Sequence, residues 1–306
     1  MESAQGRDLK FAVLSMDVED WYHTGYLSEA ECRKDFSMLD GMDRFTEVLG
    51  RHQIPAQFFV LSDLLKLHPG RFRKLAEAGH EFGSHGRSHT PPLNMDIEKF
   101  RAELVHCREV HRQTLGREVE GFRAPRFLID RSRLDVVHET GFTYDASVIQ
   151  RNLHRHFDFQ DFNPLAKHIL SNGDFFEFRP ANFKWGGVHW PVAGGGAMRI
   201  LPWWVTRLLT GFLFRGLELY SFYTHPIDIS RAPSPPIPTS VGSWNRWRMS
   251  WGRASMAGKL EKLIQTLEAH GFRFVTYSQL RRQLIAHQSP QLQSVELGTK
   301  VFANSR

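Results

Sequence analysis

Short apolar runs alternate with amphipathic stretches along most of the chain, with glycine and proline at the joints. Phe11 to Met16 (FAVLSM) is a continuous apolar run of the kind a fully buried strand needs. Asp43 to His52 has a helical pattern, and Ala56 to Leu61 forms a second strand pattern after Pro55. Pro69 to Ala78 reads as a helix closed by Gly79, and Glu81 to Ser84 as the next short strand. Asp96 to Leu115 predicts a long helix with Asn94 or Asp96 as its cap and Gly116 as its stop. Strand patterns follow at Glu120 to Ala124 and Phe142 to Ser147, around a helix over Ser132 to Thr140 that ends at Gly141. Late in the chain, Ser221 to Thr224 and Phe274 to Thr276 read as strands on either side of a helix from Ala254 to His270.

Repeated strand-turn-helix units predict a parallel sheet, and this many of them predict a barrel or a doubly wound sheet. Gln150 to Pro202 breaks the alternation: it is rich in Phe, Trp, Gly and Pro, and reads as an irregular insertion of loops and short strands. Gly194-Gly195-Gly196 lacks the lysine and spacing of a phosphate loop and is assigned to a tight turn. Leu201 to Tyr223 is the most apolar stretch, but Arg207, Arg215 and Glu218 interrupt it. A membrane span wants about 20 nearly uncharged residues, so this stretch predicts a helix followed by a buried strand, with interfacial membrane contact through its tryptophans as the alternative. Arg231 to Gly242 is a proline-rich loop. Residues 1–9 read as an N-terminal extension, 10–285 as one catalytic domain and 286–306 as a polar, flexible tail.

Composition adds limits. With 306 residues, 41% apolar and 24% charged, the chain excludes a disordered or fibrous protein and a small disulfide-stapled module. A formal charge of +6 without a long basic block fits an anionic substrate or a membrane surface and gives no stripe for nucleic acid. The apolar run of a secretory leader is missing from MESAQGRDLKF, and Cys32 and Cys107 form no C-x-x-C pair. A cytoplasmic protein in a reducing compartment, peripheral to the inner membrane face at most, is the expectation.

The candidate chemistry sits where predicted strands end, as it does in α/β enzymes. Asp17-Val18-Glu19-Asp20 places three carboxylates in four residues, a repulsive arrangement unless a cation or an arginine compensates. The alternative is a solvated acidic turn. His85-Gly86-Arg87-Ser88-His89 spaces two imidazoles so that a helical turn would put them on one face. With 16 histidines, chance pairs are expected, and His52, His106/His111 and His154/His156 supply comparable ones. Two imidazoles plus one upstream carboxylate make a catalytic metal set, which distinguishes His85/His89 from the others. Arg123 closes another strand, Asp145 lies in Tyr144-Asp145-Ala146-Ser147, and His225 follows Phe222-Tyr223-Thr224. Taken singly, Arg123 reads rather as a surface arginine on a turn and His225 as a satisfied loop histidine, and Asp145 completes the series at another strand end.

In this order and spacing, LSMDVEDWYH, IPAQFFVL, AGHEFGSHGRSH, GFRAPRF, GFTYDAS, GGGAMRILP and FYTHPIDI resemble the NodB homology domain of the carbohydrate esterase family 4 polysaccharide deacetylases. The resemblance runs from about Lys10 to Arg281, and lies nearest the branch holding allantoinase-like, peptidoglycan-deacetylase-like and exopolysaccharide-cluster proteins. It implies a deformed (β/α)7 barrel that uses one divalent metal to remove an N-acetyl group from an amino sugar. By position, Asp17 resembles the family's general base and Arg123 the arginine that orients it. His85 and His89 resemble its metal-ligating histidines, and His225 its general acid. Asp145 matches the fourth-motif aspartate, although the tryptophan usual a few residues later is absent. The third ligand stays open between Glu19 and Asp20.

The implied chemistry is metal-assisted amide hydrolysis, with zinc as the simplest metal and cobalt, nickel or iron accepted by the same donors. Trp244, Arg246, Trp247 and Arg248, followed by Trp251 and Arg253, interleave aromatic and cationic side chains. Such a segment suits stacking on a sugar and pairing with phosphate, so the expected substrate is an N-acetylated sugar or glycan, on a nucleotide- or lipid-linked phosphorylated carrier. The alternatives are another amidase on the same scaffold, such as an allantoinase-like ureide hydrolase, and a catalytically inactive glycan-binding barrel. An amphipathic rim that packs its own tryptophans is the other reading of the aromatic segment.

Overall fold

The computed structural model describes residues 10–27, 31–149, 158–181, 183–185, 188–190, 193–214 and 216–287. The expected extension 1–9, most of the tail and the His154/His156 pair lie outside the described residues.

Seven parallel strands form the wall of a nearly closed barrel, in the order β11-β1-β2-β3-β4-β5-β8. They are β1 (Lys10–Val18), β2 (Gln57–Val60), β3 (Glu81–Ser84), β4 (Gly121–Phe122), β5 (Tyr144–Asp145), β8 (Phe175–Phe178) and β11 (Leu219–Thr224). Beyond β8 the sheet continues antiparallel through β7 (Ile169–Asn172) and β6 (Asn163–Ala166). These strands and the separate hairpin of β9 (Phe183–Trp185) and β10 (Val188–Trp190) make up the insertion between 150 and 202. A last strand, β12 (Phe272–Phe274), pairs with the start of β1.

The helices pack outside the wall: α1 (Asp40–Arg51), α2 (Ser62–Leu67), α3 (Pro69–Glu77), α4 (Ile97–Leu115), α5 (Arg131–Glu139), α6 (Gly195–Ile200) and α7 (Trp203–Leu213). The series ends with α8 (Pro226–Ile229), α9 (Ser243–Ser250), α10 (Arg253–Ala269) and a closing helix, α11, over 277–287. Asp96 caps α4 by accepting from the Lys99 N–H at 2.8 Å, and Gly116 ends it in the left-handed conformation.

Alternation along β1 decides where its polar residues go. Ala12, Leu14, Met16 and Val18 pack outward under the helices, whereas Phe11 and Val13 join Phe59, Tyr144, Phe178 and Tyr277 inside the barrel. A strand has a side-chain period of two, so Ser15 and Asp17 share that inner face. The last inner position of β1 is therefore a carboxylate at the barrel mouth. Register then sets β3, β4 and β5 beside it, with Ser84 opposite Phe122 and Phe122 opposite Asp145, while Met16 lies opposite Thr224 of β11. Each residue that follows a strand end, His85, Arg123 or His225, leaves the sheet at one rim.

Several sequence boundaries move. The first helix begins at Asp40, β5 shrinks to Tyr144–Asp145, and the last strand is Phe272–Phe274. The triple glycine is no simple turn: Gly194 pairs with Tyr223 on the free edge of β11, and Gly195 starts α6. The apolar Leu201–Tyr223 stretch divides into α7 and β11, and no described helix is long and apolar enough to cross a membrane.

Candidate active site

Arg123 organises the barrel mouth. Its guanidinium is wholly buried, donates from Nη1 to Asp17 Oδ1 at 2.7 Å and to Ser15 Oγ at 2.9 Å, and lies 4.1 Å above the Phe59 ring. Nε donates to the Ala146 carbonyl at 3.1 Å, and Nη2 to the Tyr277 hydroxyl at 3.1 Å. Burial of the guanidinium opposes its charge, but the charge and hydrogen bond of Asp17 together with Tyr277 and Asp145 outweigh that and raise its pKa. A fork fixed on several sides holds one oxygen of Asp17.

His85 directly follows β3, on a loop that lies against the one carrying Arg123. Its Nδ1 lies 2.8 Å from the Arg123 carbonyl, which makes Nδ1 the protonated nitrogen and leaves the Nε2 lone pair for a ligand. Burial pushes its pKa down to about 4, so the ring is neutral. The H-x-x-x-H segment is not a helical turn. Gly86 (φ 80°) and His89 (φ 69°) are left-handed, and this bend brings the two rings to a centroid separation of 5.4 Å.

The three acids of the first cluster separate. Asp20 Oδ1 accepts from the Trp21 N–H at 2.8 Å and the Met38 N–H at 2.9 Å, capping the short turn Trp21–His23. Its carboxylate is engaged by these backbone groups and by Ser37, and among the described residues it forms no ion pair with His85, His89 or His225. Glu19 faces them: Oε2 is 2.7 Å from His89 Nε2 and Oε1 is 3.2 Å from His225 Nε2. Burial would raise its pKa, but the charges of His89 and then His225 hold it well below the carboxylate range. Oε2 is buried and, despite its closeness to His89, has no hydrogen bond of proper angle.

His225 completes the ring. Asp228 Oδ2 accepts from its backbone N–H at 3.0 Å and stands 3.2 Å from its Nδ1, while Arg199 Nε lies 3.1 Å from Oδ1. Burial depresses the imidazole, but the Glu19 charge and then the Asp228 contact outweigh it, and its pKa rises to about 9. His225 thus carries a proton at neutral pH. Asp228 stays ionised at about 2, because its bond to His225 and the Arg199 charge override burial.

Asp145 does not reach His225. It accepts from the Ser147 N–H and hydroxyl, each at 2.7 Å, and Ser147 Oγ accepts from the Ala124 N–H at 2.7 Å. Its place is behind the Arg123 loop, next to Glu177, whose pKa burial and the Asp145 charge push well up. The acid that holds the histidine is Asp228, three residues further on, in the N-cap spacing of H-P-I-D. Arg199, Ser15 and Tyr277 also escape the sequence reading, since ordinary apolar surroundings give no signal for them.

Asp17, Glu19, His85, His89, His225 and Arg248 line a single cavity of about 370 Å³. Arg248 is the member of the aromatic-cationic segment that reaches it; Arg246 is exposed elsewhere on α9. Trp244, Trp247 and Trp251 do not pack inside the protein. They stack on one another, with centroids 4.9 Å and 5.3 Å apart, and remain largely exposed.

Among the described residues no group of three or more His, Cys, Asp or Glu is spaced as a finished metal cage. The donor chemistry nevertheless fits a divalent ion: a neutral imidazole with its lone pair directed by a backbone carbonyl, a second imidazole, and a buried carboxylate oxygen without a hydrogen bond. Glu19 and His89 touch at 2.7 Å and would have to part slightly to share a ligand.

Residues 35–144 match the family model described as polysaccharide deacetylase, and 147–282 match a domain of unknown function, DUF3473. Over residues 35–144 the chain is thus similar to the polysaccharide deacetylase family. It is 24% identical over 112 residues to a peptidoglycan deacetylase of Helicobacter pylori, covering 37% of this chain and 38% of that one. To a peptidoglycan deacetylase-like protein of Gibberella zeae it is 26% identical over 138 residues, 43% of this chain and 40% of the relative. The chain thus spans well under half the length of these curated relatives. Among solved structures, a Mycobacterium smegmatis protein assigned as a polysaccharide deacetylase shares the fold at a TM-score of 0.61 and 19% identity, covering 93% of this chain and 94% of that one. An allantoinase shares it at 0.57 and 14%, with 92% of each chain covered.

Proposed function

We propose that the protein is a metal-dependent hydrolase that removes the N-acetyl group from an amino sugar of a glycan or glycan precursor. The observation that carries this reading is the ring of Asp17–Arg123, Glu19–His89, His85 and His225–Asp228 around one cavity. Relatives named for deacetylation of peptidoglycan and chitooligosaccharide support the substrate class.

His85, His89 and Glu19 would hold the metal, with zinc suiting the two nitrogens and one oxygen best and cobalt, nickel or iron accepted. When bound, such an ion polarises the acyl oxygen and lowers the pKa of a water from 15.7 toward about 7. Asp17 takes the proton of the attacking water, and Arg123 keeps that carboxylate aimed by occupying Oδ1. As the carbon–nitrogen bond breaks, His225 delivers its proton to the departing amine, which otherwise leaves as an unstable anion. Asp228 and Arg199 hold the imidazole in place during that transfer. Asp145 acts at one remove, by steadying the Arg123 loop through Ser147.

The stacked indoles of α9 supply a platform for a sugar ring, and Arg248, a helical neighbour of both Trp244 and Trp251, supplies the cation beside it. These features support a nucleotide- or lipid-linked phosphorylated substrate. The protein's place would be the cytoplasm, against the inner membrane face. Trp204, Leu208 and Phe212 form an exposed stripe on α7 at 69%, 54% and 53% exposure, with Arg207 and Lys10 lining the same apolar groove. Leu208→Asp is expected to weaken co-sedimentation with anionic vesicles.

The test is release of acetate from N-acetylated oligosaccharides and nucleotide sugars, run beside hydrolysis of allantoin. Acetate release that is lost in Asp17→Asn supports the reading. Ureide hydrolysis alone would assign a different amidase, and neither activity in metal-loaded protein would leave a binding barrel.

A further inference from the structure

A second hollow of about 410 Å³ adjoins the catalytic cavity and shares His89, Gly25 and Arg126 with it. Arg126 is the divider. Its side chain crosses Gly25 so closely that a Cβ there would sit 2.9 Å from Nε, so a larger residue would push the arginine aside. Its backbone is left-handed (φ 59°), as is that of the next residue, Phe127 (φ 57°). Two consecutive L residues in that region are disfavoured, and strain of this kind concentrates at ligand clamps and catalytic loops.

Among the described residues, the lining of the hollow contains no aspartate or glutamate. It does contain Arg126 and Lys34; among the described residues neither has a hydrogen-bond or ion-pair partner, and Lys34 Nζ lies 5.6 Å from the centre of the Tyr22 ring in the same lining. The acids across the divide are engaged, Asp17 with Arg123 and Glu19 with His89 and His225. Among the described residues, two exposed cations without counter-charges therefore face one concave space. Serine, threonine and asparagine hydroxyls and amides (Ser88, Thr90, Asn94) line the same space and can bond a sugar.

We infer that this hollow is a substrate subsite for an oxyanion, a carboxylate or a phosphate, on the sugar unit next to the one deacetylated. The assignment rests on the deacetylase reading and deepens it: the enzyme selects an acidic glycan, with Arg126 and Lys34 as specificity residues. The guanidinium binds the anion by charge-assisted hydrogen bonds, and Lys34 adds a point charge.

Acetate release should be compared on three oligomers of equal length: neutral N-acetylglucosamine, the same with a neighbouring uronic acid, and the same with a neighbouring phosphate. Wild-type protein should prefer one or both acidic oligomers, and the larger preference identifies carboxylate or phosphate as the source. Arg126→Gly removes the cation while keeping a residue at ease with positive φ. It and Lys34→Ala should each lower the acidic-to-neutral ratio of kcat/KM roughly ten-fold, through KM. No wild-type preference, or equal losses on all three oligomers, would overturn the subsite. If wild-type protein releases no acetate from any oligomer, the deacetylase reading fails. Calorimetry then still decides the subsite: acidic oligomers binding wild-type protein roughly ten-fold tighter than Arg126→Gly supports it, and equal binding overturns it.

Discussion

Arg123 Nη1 and Asp17 Oδ1 meet at 2.7 Å in a space closed to solvent, between residues 106 positions apart in the chain. The pair joins the stability of the barrel to its chemistry. Arg123→Met would leave Asp17 as a buried charge without compensation and should cost about 3–5 kcal/mol in unfolding free energy. Arg123→Lys keeps the charge but cannot reach Ser15, Tyr277 and the Ala146 carbonyl together, so the carboxylate loses its aim. Its expected signature is a fall in kcat of roughly 10²-fold with KM nearly constant. Denaturant unfolding and steady-state kinetics on the two variants check this.

The proposed role of His225 as proton donor sets a second expectation. His225→Ala should slow release of an alkyl amine by about 10²–10⁴-fold. The loss should shrink on an acetylated aniline with electron-withdrawing substituents, since that amine needs little protonation to leave. Asp228→Asn should act the same way at smaller magnitude, because the histidine remains but its Nδ1 partner loses its charge. Equal losses on both leaving groups would count against a proton donor.

In the proposed function Glu19 and Asp20 are neighbours with different duties, and substitution should separate them. Glu19→Gln should reduce bound metal, read by elemental analysis, with little change in melting temperature. Asp20→Ala should retain metal and instead destabilise the fold by about 1–2 kcal/mol, since two backbone N–H groups lose their acceptor. Chelation should abolish activity in wild-type protein, and added zinc or cobalt should restore it.

These assignments also mark what the sequence made legible. Asp17, His85, Arg123 and His225 stood out because polar residues directly after apolar strands are costly without a purpose, and the parallel register gathers those ends at one rim. The choice between Glu19 and Asp20 was not legible, because it depends on two backbone amides, one of them 18 residues away at Met38. The helical turn expected for H-x-x-x-H gave way to a left-handed bend at Gly86 and His89, which the spacing alone does not distinguish. Arg246 and Arg248 looked equivalent until α9 fixed which side of the helix meets the cavity. Asp228 and Arg199 were missed because their role exists only after α6 and α8 pack beside β11.

The Asp145–Glu177 pair predicts a pH effect on stability. Burial first, and then the Asp145 charge, raise the Glu177 pKa well above its ordinary 4.5. A raised folded-state pKa means that the protonated form is favoured by folding. Its contribution is complete below pH 4.5 and is lost as pH rises toward the folded value. Glu177→Gln should remove this dependence, so its melting temperature should gain on that of wild-type protein as pH increases above that point. A constant difference between the two across that range would contradict it.

The proposed cation site is most directly tested by anomalous diffraction from crystals soaked in zinc, with data collected on both sides of the absorption edge. One peak within coordinating distance of His85 Nε2, His89 Nε2 and Glu19, adjacent to the Asp17 carboxylate, is the expected result. A peak held by other residues, or no peak in this cavity at saturating zinc, would contradict it.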